Sequence, residues 1–171
     1  MNMTRRSAAI ISVLAFSLLV SCGGGDGGGS GGTQPVTALM TLSTSGTLPA
    51  GAQISGIDVT ITLPAGVTLK STVNPPEVDS GVITWYGVSA SSNTVALATY
   101  TAATNSAAGR VRIVIVTANG FSVGELCDVS SDIAKGSSPQ AADFGIASFA
   151  VSDQNGNVIT GLTPSIAVEL R

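Results

Sequence analysis

Residues 56–64 read GIDVTITLP, and apolar side chains alternate with polar ones through the middle of this stretch. Ile57, Val59, Ile61 and Leu63 share one phase of the alternation, whereas an aspartate and two threonines share the other. Successive side chains of a β-strand point to opposite faces of the sheet. The pattern therefore predicts a strand with one face in a core and the other in water.

Similar segments recur from residue 36 to the C-terminus. This part is rich in Thr, Val, Ile and Ala and is interrupted by Gly, Pro, Asn or Asp at the spacing of about 8–12 residues that is typical of all-β proteins. It predicts an all-β fold, a sandwich or a barrel, with enough strands for two packed antiparallel sheets. The candidate strands are 37–44, 54–63, 66–70, 81–87, 94–101, 110–118, 121–129, 143–152, 157–161 and 165–170.

Two features predict the surroundings of strand 110–118. Its far end is apolar on both faces, which is typical of a central strand that is partly covered on its second face. The pair Asn119-Gly120 follows it and favours the positive φ angles of a tight hairpin turn. The sequence therefore predicts that 110–118 and 121–129 are antiparallel neighbours.

The segment 143–152 carries two further signals. Its apolar pairs Phe144/Ile146 and Phe149/Val151 are out of phase, so a β-bulge near Ala147-Ser148 is expected to bring both pairs inward. The pair Asn155-Gly156 then predicts a hairpin that joins 143–152 to 157–161.

The N-terminus has the pattern of an export signal. Two arginines precede an apolar run that ends in small residues, and this run is shorter than the roughly 20 residues needed to cross a bilayer as a helix. Leu19-Val20-Ser21-Cys22 resembles the lipobox of bacterial lipoproteins. The resemblance implies that residues 1–21 are a signal peptide, that lipid is attached to Cys22, and that the protein is anchored to a membrane.

The segment 22–35 begins with the lipidation site, Cys22, and is mostly glycine after it. Such a composition predicts a flexible tether, which leaves 36–171 as one domain. Gly23 stands where an aspartate would imply retention at the inner membrane, so the lipoprotein resemblance implies the outer membrane, with the domain facing the periplasm or the cell surface.

Charge and composition exclude several classes of function. After residue 21 the chain has ten carboxylates and five basic side chains, a net charge of −5, which disfavours nucleic acid as a partner. The chain contains no histidine, which excludes histidine-dependent nucleophilic catalysis and histidine zinc sites. The sequence predicts a protein that is not an enzyme and has no cofactor besides the covalent lipid on Cys22. If Cys22 carries lipid, Cys127 is most simply a buried, inert thiol.

Four segments resemble cohesin modules: 56–64, the strand 109–115, the start of a strand at 124–126, and the hairpin at 149–157. The resemblance covers nearly all of 36–171 and is shared with cellulose-binding modules. It implies a nine-stranded jelly-roll sandwich that holds a dockerin-like protein on one sheet face.

Five residues are candidates for ligand binding. Trp85, Tyr86 and Tyr100 can stack on a polysaccharide, although Trp85 and Tyr86 are adjacent and must point to opposite faces of a strand. Arg110 and Arg112 lie two apart on the wet face of one strand and suit the acidic groups of a protein partner.

The segment that contains Asp153, Asn155 and Asn157 has oxygen-bearing side chains at alternate positions, so it is a weak candidate for calcium binding. The glycine and distal glutamate of a calcium loop are not at the required spacing, and a plain hairpin turn is the favoured interpretation.

The sequence thus predicts a non-catalytic surface lipoprotein that binds a dockerin-like protein or a polysaccharide outside the cytoplasm. The alternatives are a structural cell-envelope protein without a discrete ligand and a carbohydrate-binding module. A binding module is expected to expose a continuous, partly apolar sheet face, which a structural protein would bury against another copy.

Overall fold

The computed structural model describes residues 34–171. The expected signal peptide, the lipidation site at Cys22 and the tether up to residue 33 lie outside the described residues. The described part is built from β-strands, with two short 3-10 helices at Gly87–Ala90 and Ala141–Asp143. No helix among residues 34–171 has the length and apolar character needed to cross a membrane.

Within residues 34–171, nine strands form two antiparallel sheets, which confirms the expected all-β sandwich. In the five-stranded sheet, β3 and β4 both pair with β7, which pairs with β1, and β1 pairs with β9. The four-stranded sheet has the order β5-β6-β2-β8. The strands are β1 Thr37–Gly46, β2 Ile54–Leu63, β3 Val67–Thr68, β4 Ile83–Trp85, β5 Thr94–Thr101, β6 Gly109–Phe121, β7 Gly124–Ile133, β8 Gly145–Ser152 and β9 Leu162–Leu170.

The core lies between the two sheets and is built from the apolar phase of each strand. From β2 and β6 it takes Ile57, Val59, Ile61, Val111 and Ile113, all fully or almost fully buried. The five-stranded sheet contributes the inward residues of β1 and β7 to the same cluster. Burial of each such side chain stabilises the fold by about 1.5–3 kcal/mol relative to exposure.

The prediction for strand 110–118 is confirmed in one respect and wrong in another. The strand is central, since β6 lies between β5 and β2. However, Asn119-Gly120 is not a hairpin turn, because β6 continues to Phe121 and β7 belongs to the other sheet. Gly120 has a positive φ of 66° and lies at a shift in register between β2 and β6. On one side of the shift Ile54 pairs with Phe121, and on the other side Gly56 pairs with Val116.

The structure tests the predicted bulge in β8 and the predicted hairpin that follows this strand. Thr60 pairs with Ser148 but Ile61 pairs with Ile146, so Ala147 is the extra residue of a β-bulge, as expected. The turn at Asn155-Gly156 is also confirmed, with one bridge between Ser152 and Val158 beyond it. The second arm is not a strand, because the chain leaves this sheet and enters β9 of the other one.

Candidate binding face

The outer face of the four-stranded sheet has an apolar end and a polar end. In the register of the sheet, Val95 is opposite Val116, and Leu97 is opposite Val114. Ala150 on β8 lies in the second of these rows, beyond Asp58 of β2. Val158 extends the first row through its bridge to Ser152. We call this set the apolar patch: Val95, Leu97, Val114, Val116, Ala150 and Val158.

The apolar patch is strongly exposed for a set of large aliphatic side chains. Val116 is 51% exposed, Leu97 55%, Val95 59% and Val158 73%. Isolated exposed aliphatic residues are normal on a protein surface, but a contiguous group across several strands is typical of an interaction site. The patch is therefore the strongest candidate for a binding surface among the described residues.

Gly56 produces a shallow depression within the patch. Because it has no side chain, a hollow of about 220 Å³ opens between β6 and β8. A Cβ atom at this position would lie 2.5 Å from the Ser152 Oγ atom. Val116, Ala150 and Val158 are among the residues that line the hollow, which can receive one apolar side chain of a partner.

The polar end of this face carries Arg110 and Arg112, as the alternation in β6 predicts. Arg112 forms a bidentate ion pair with Asp58 on β2, in which Arg112 Nε lies 3.0 Å from Asp58 Oδ1 and Arg112 Nη2 lies 2.5 Å from Asp58 Oδ2. These hydrogen bonds lower the pKa of Asp58. Arg110 is exposed and forms no ion pair with any described residue. The charge of Arg112 is thus compensated within the chain, whereas that of Arg110 is available to a partner.

The three aromatic candidates are not brought together. Tyr86 lies toward the outer side of the five-stranded sheet, where its hydroxyl donates to Asp128 Oδ2 at 2.6 Å and this bond raises the pKa of Tyr86. Trp85 is half-buried and packs against the core, and Tyr100 is only 7% exposed. Trp85 and Tyr86 therefore face opposite ways, as expected, and the three rings form no planar row that could stack on a flat polysaccharide.

The weak calcium candidate is a turn closed by its own hydrogen bonds. Asp153 Oδ1 accepts the backbone N–H groups of Asn155 and Asn157, both at 2.8 Å. Its Oδ2 accepts the side-chain N–H of Asn157 at 3.0 Å, and this bond lowers the pKa of Asp153. Both carboxylate oxygens are thus used within the turn. Residues 34–171 contain no group of three His, Cys, Asp or Glu side chains placed to hold a metal ion.

Cys127 is buried among core residues of β7. Burial raises the pKa of its thiol to about 12. A thiol of this kind carries almost no thiolate at neutral pH and is a poor nucleophile.

Sequence reasoning identified the two arginines of this face but missed the apolar patch. The segment 94–101 reads TVALATYT, where alanines occupy one phase and Val95 and Leu97 the other. Hydrophobicity alone would assign the larger side chains to the core, whereas the structure buries the phase that contains Tyr100 and exposes the phase of Val95.

Comparison of the chain with protein-family models, with curated proteins and with solved structures found no match.

Proposed function

We propose that this protein is a non-catalytic, lipid-anchored surface protein whose sandwich domain binds another protein on the outer face of its four-stranded sheet. The observation that carries the proposal is the apolar patch on β5, β6 and the β8 side of this face, with Arg110 free of ion pairs at the opposite, polar end. The expected resemblance to cohesin modules, which hold a dockerin-like partner on one sheet face, supports the same function.

The physical composition of this face suits a protein partner. Protein interfaces combine an apolar centre with a polar rim, and a few anchors supply most of the affinity. Here the apolar patch would be the centre, Gly56 provides a hollow for an anchor, and Arg110 with the Arg112–Asp58 pair forms the rim at one end. A partner with an apolar surface and an acidic group facing Arg110 would be complementary.

The outer face of the five-stranded sheet is a suitable control, because it is mostly polar, with Leu39 as a half-buried exception. Its central rows carry Thr41, Asp128 and Glu169, and Ala167 is an exposed small residue there. A protein partner gains less from desolvating such a surface, since each polar group must be paired again in the complex.

Site-specific photo-crosslinking of the full chain in its native envelope tests the proposal. A photoreactive amino acid replaces Val116 in one variant and Ala167, on the control face, in another. We expect a discrete adduct with a second protein from position 116 and none from position 167. The captured protein, once purified, should bind the unmodified chain, and Val116→Lys should weaken that binding at least about tenfold while Ala167→Lys leaves it unchanged.

Other outcomes would redirect or refute the proposal. Adducts formed only between copies of this chain would favour the structural envelope protein instead. Capture of polysaccharide but no protein would favour the carbohydrate-binding module. Equal labelling from both positions would mean that the apolar patch has no special role.

The lipid anchor is tested separately. The chain expressed with radiolabelled palmitate should incorporate the label and sediment with membranes, and Cys22→Ala should abolish both. Incorporation that persists in the Cys22→Ala variant would contradict lipidation at this residue.

A further inference from the structure

A half-open cleft of about 320 Å³ lies at one edge of the sandwich, between β4 of the five-stranded sheet and β5 of the four-stranded sheet. Trp85 and Ile83 line it from β4, and Leu97 from β5. Glu77 and Asp79, which belong to the loop between β3 and β4, complete its wall. None of the residues used in the proposed binding face lies in it except Leu97, which belongs to both.

The cleft exists because only part of the β5 edge is covered. The loop residues Pro76 and Val78 pair with the second half of this strand, since Tyr100 N–H donates to Pro76 O and Val78 N–H donates to Ala98 O, both at 3.0 Å. The loop then turns away at Asp79, whose N–H donates to Lys70 O. Between this loop and Thr94, whose N–H donates to Ser91 O, the β5 residues Ala96 and Leu97 line the cleft together with Trp85.

The cleft carries negative charge, and the nearest basic side chain described, Lys70, lines the adjoining hollow with Asp79 but is not ion-paired to it. Glu77 and Asp79 are exposed, and neither forms an ion pair with any described residue. The described residues that line the cleft include no lysine or arginine. Two free carboxylates near an indole ring favour a cation, which gains both Coulomb attraction and a cation–π contact with the ring.

We infer that this cleft receives a lysine or arginine side chain of the protein that occupies the adjacent face, so that the cleft determines partner specificity. The inference rests on the proposed function, since Leu97 connects the cleft to the apolar patch. A partner on that face would have a basic residue at the β5 edge and an acidic residue near Arg110. A neutral sugar would also contact the indole, but it would leave both carboxylates without a counter-charge.

Trp85 makes the inference directly measurable, because it is the only tryptophan of the chain. The full chain in nonionic detergent is titrated with N-acetyl-lysine methylamide and N-acetyl-arginine methylamide while indole fluorescence is recorded. N-acetyl-norleucine methylamide, which has a similar aliphatic chain without charge, and cellobiose are the control probes. We expect a saturable change with the two basic probes only, and weaker binding as salt concentration rises.

Charge-removing variants locate the response. Glu77→Gln combined with Asp79→Asn should weaken binding of the basic probes about tenfold. Glu169→Gln combined with Asp143→Asn removes the same charge far from Trp85, since Glu169 lies on β9 at the other edge of the five-stranded sheet, and should leave binding unchanged. Both double variants replace exposed side chains with near-isosteric ones, and circular dichroism checks that each remains folded.

Three results would overturn the inference: no saturable response up to about 20 mM basic probe, an equal response to norleucine or cellobiose, or equal weakening by both double variants. None of them depends on a captured partner. If basic probes cause no fluorescence change but a captured partner still binds and Val116→Lys weakens that binding, the inference about the cleft fails and the proposed function stands. If the probes bind but position 116 captures no protein, the proposed function fails, and with it the assignment of the basic group to a partner on that face, although the cleft itself still binds such groups.

Discussion

Two identical substitutions on one strand test whether the candidate face is exposed in solution. Val111 and Val116 both belong to β6, but Val111 is fully buried whereas Val116 is 51% exposed. Each Val→Ala change removes the equivalent of two methylene groups. If the face of Val116 were covered by another part of the chain, the two changes would have similar effects on stability.

The structure sets the expected magnitudes. For Val111→Ala the lost transfer free energy is about 1.6 kcal/mol, and the cavity left in the core raises the total loss to about 2–3 kcal/mol. For Val116→Ala only about half of the transfer term is lost, about 0.8 kcal/mol, and no cavity forms. The difference between the two losses in free energy of unfolding should therefore be about 1.2–2.2 kcal/mol.

Urea unfolding of residues 34–171 measures this difference. Far-UV circular dichroism follows the sheets, and Trp85 fluorescence follows the edge of the core. Coincident transitions with an unchanged m-value would justify a two-state comparison of the midpoints. Equal losses for the two variants would refute the assignment of Val116 to an exposed face, and with it the proposed binding surface.

Three further predictions concern a turn, an ion pair and a thiol. Gly120→Ala should destabilise the domain more than Gly156→Ala, as measured by thermal unfolding. Both glycines have positive φ, but of the two only Gly120 would place a new Cβ against another side chain, 2.7 Å from Gln53 Cβ. Because the hydrogen bonds from Arg112 lower the pKa of Asp58 in the folded protein below its ordinary value, the pair contributes stability that is present above that ordinary value and is lost as pH falls through the lowered pKa. Asp58→Asn should remove this part of the acid-induced loss of stability, and an unchanged dependence of stability on acidic pH would contradict it. In a Cys22→Ser variant, Cys127 should resist iodoacetamide at pH 8 and react after urea is added. Rapid labelling of the folded protein would contradict the raised pKa of this thiol.

The alternation of side chains was sufficient to predict the fold class and much of the core. Ile57, Val59 and Ile61 had to share one face of a strand, whatever the strand paired with, because the period of a strand is two residues. The bulge at Ala147 was predictable for the same reason, since only one extra residue could bring two out-of-phase apolar pairs to the same side.

Strand pairing was decided by the tertiary structure. Asn119-Gly120 has the local chemistry of a hairpin, yet positive φ at Gly120 serves equally well where one strand ends irregularly and the chain crosses to the other sheet. A dipeptide encodes a backbone angle and carries no information about which strand becomes a neighbour. The sequence prediction failed there because the choice depends on contacts between residues far apart in the chain.

In the candidate sites, too, local alternation placed some residues and tertiary contacts decided the rest. The sequence by itself placed Arg110 and Arg112 on the wet face of a strand, because that follows from local alternation. Only the tertiary structure paired Arg112 with Asp58, 54 positions away, and exposed Val95 and Leu97 beside it. The physical reason is that a strand which is apolar in both phases can bury either face, and the choice is made by the sheet that packs against it.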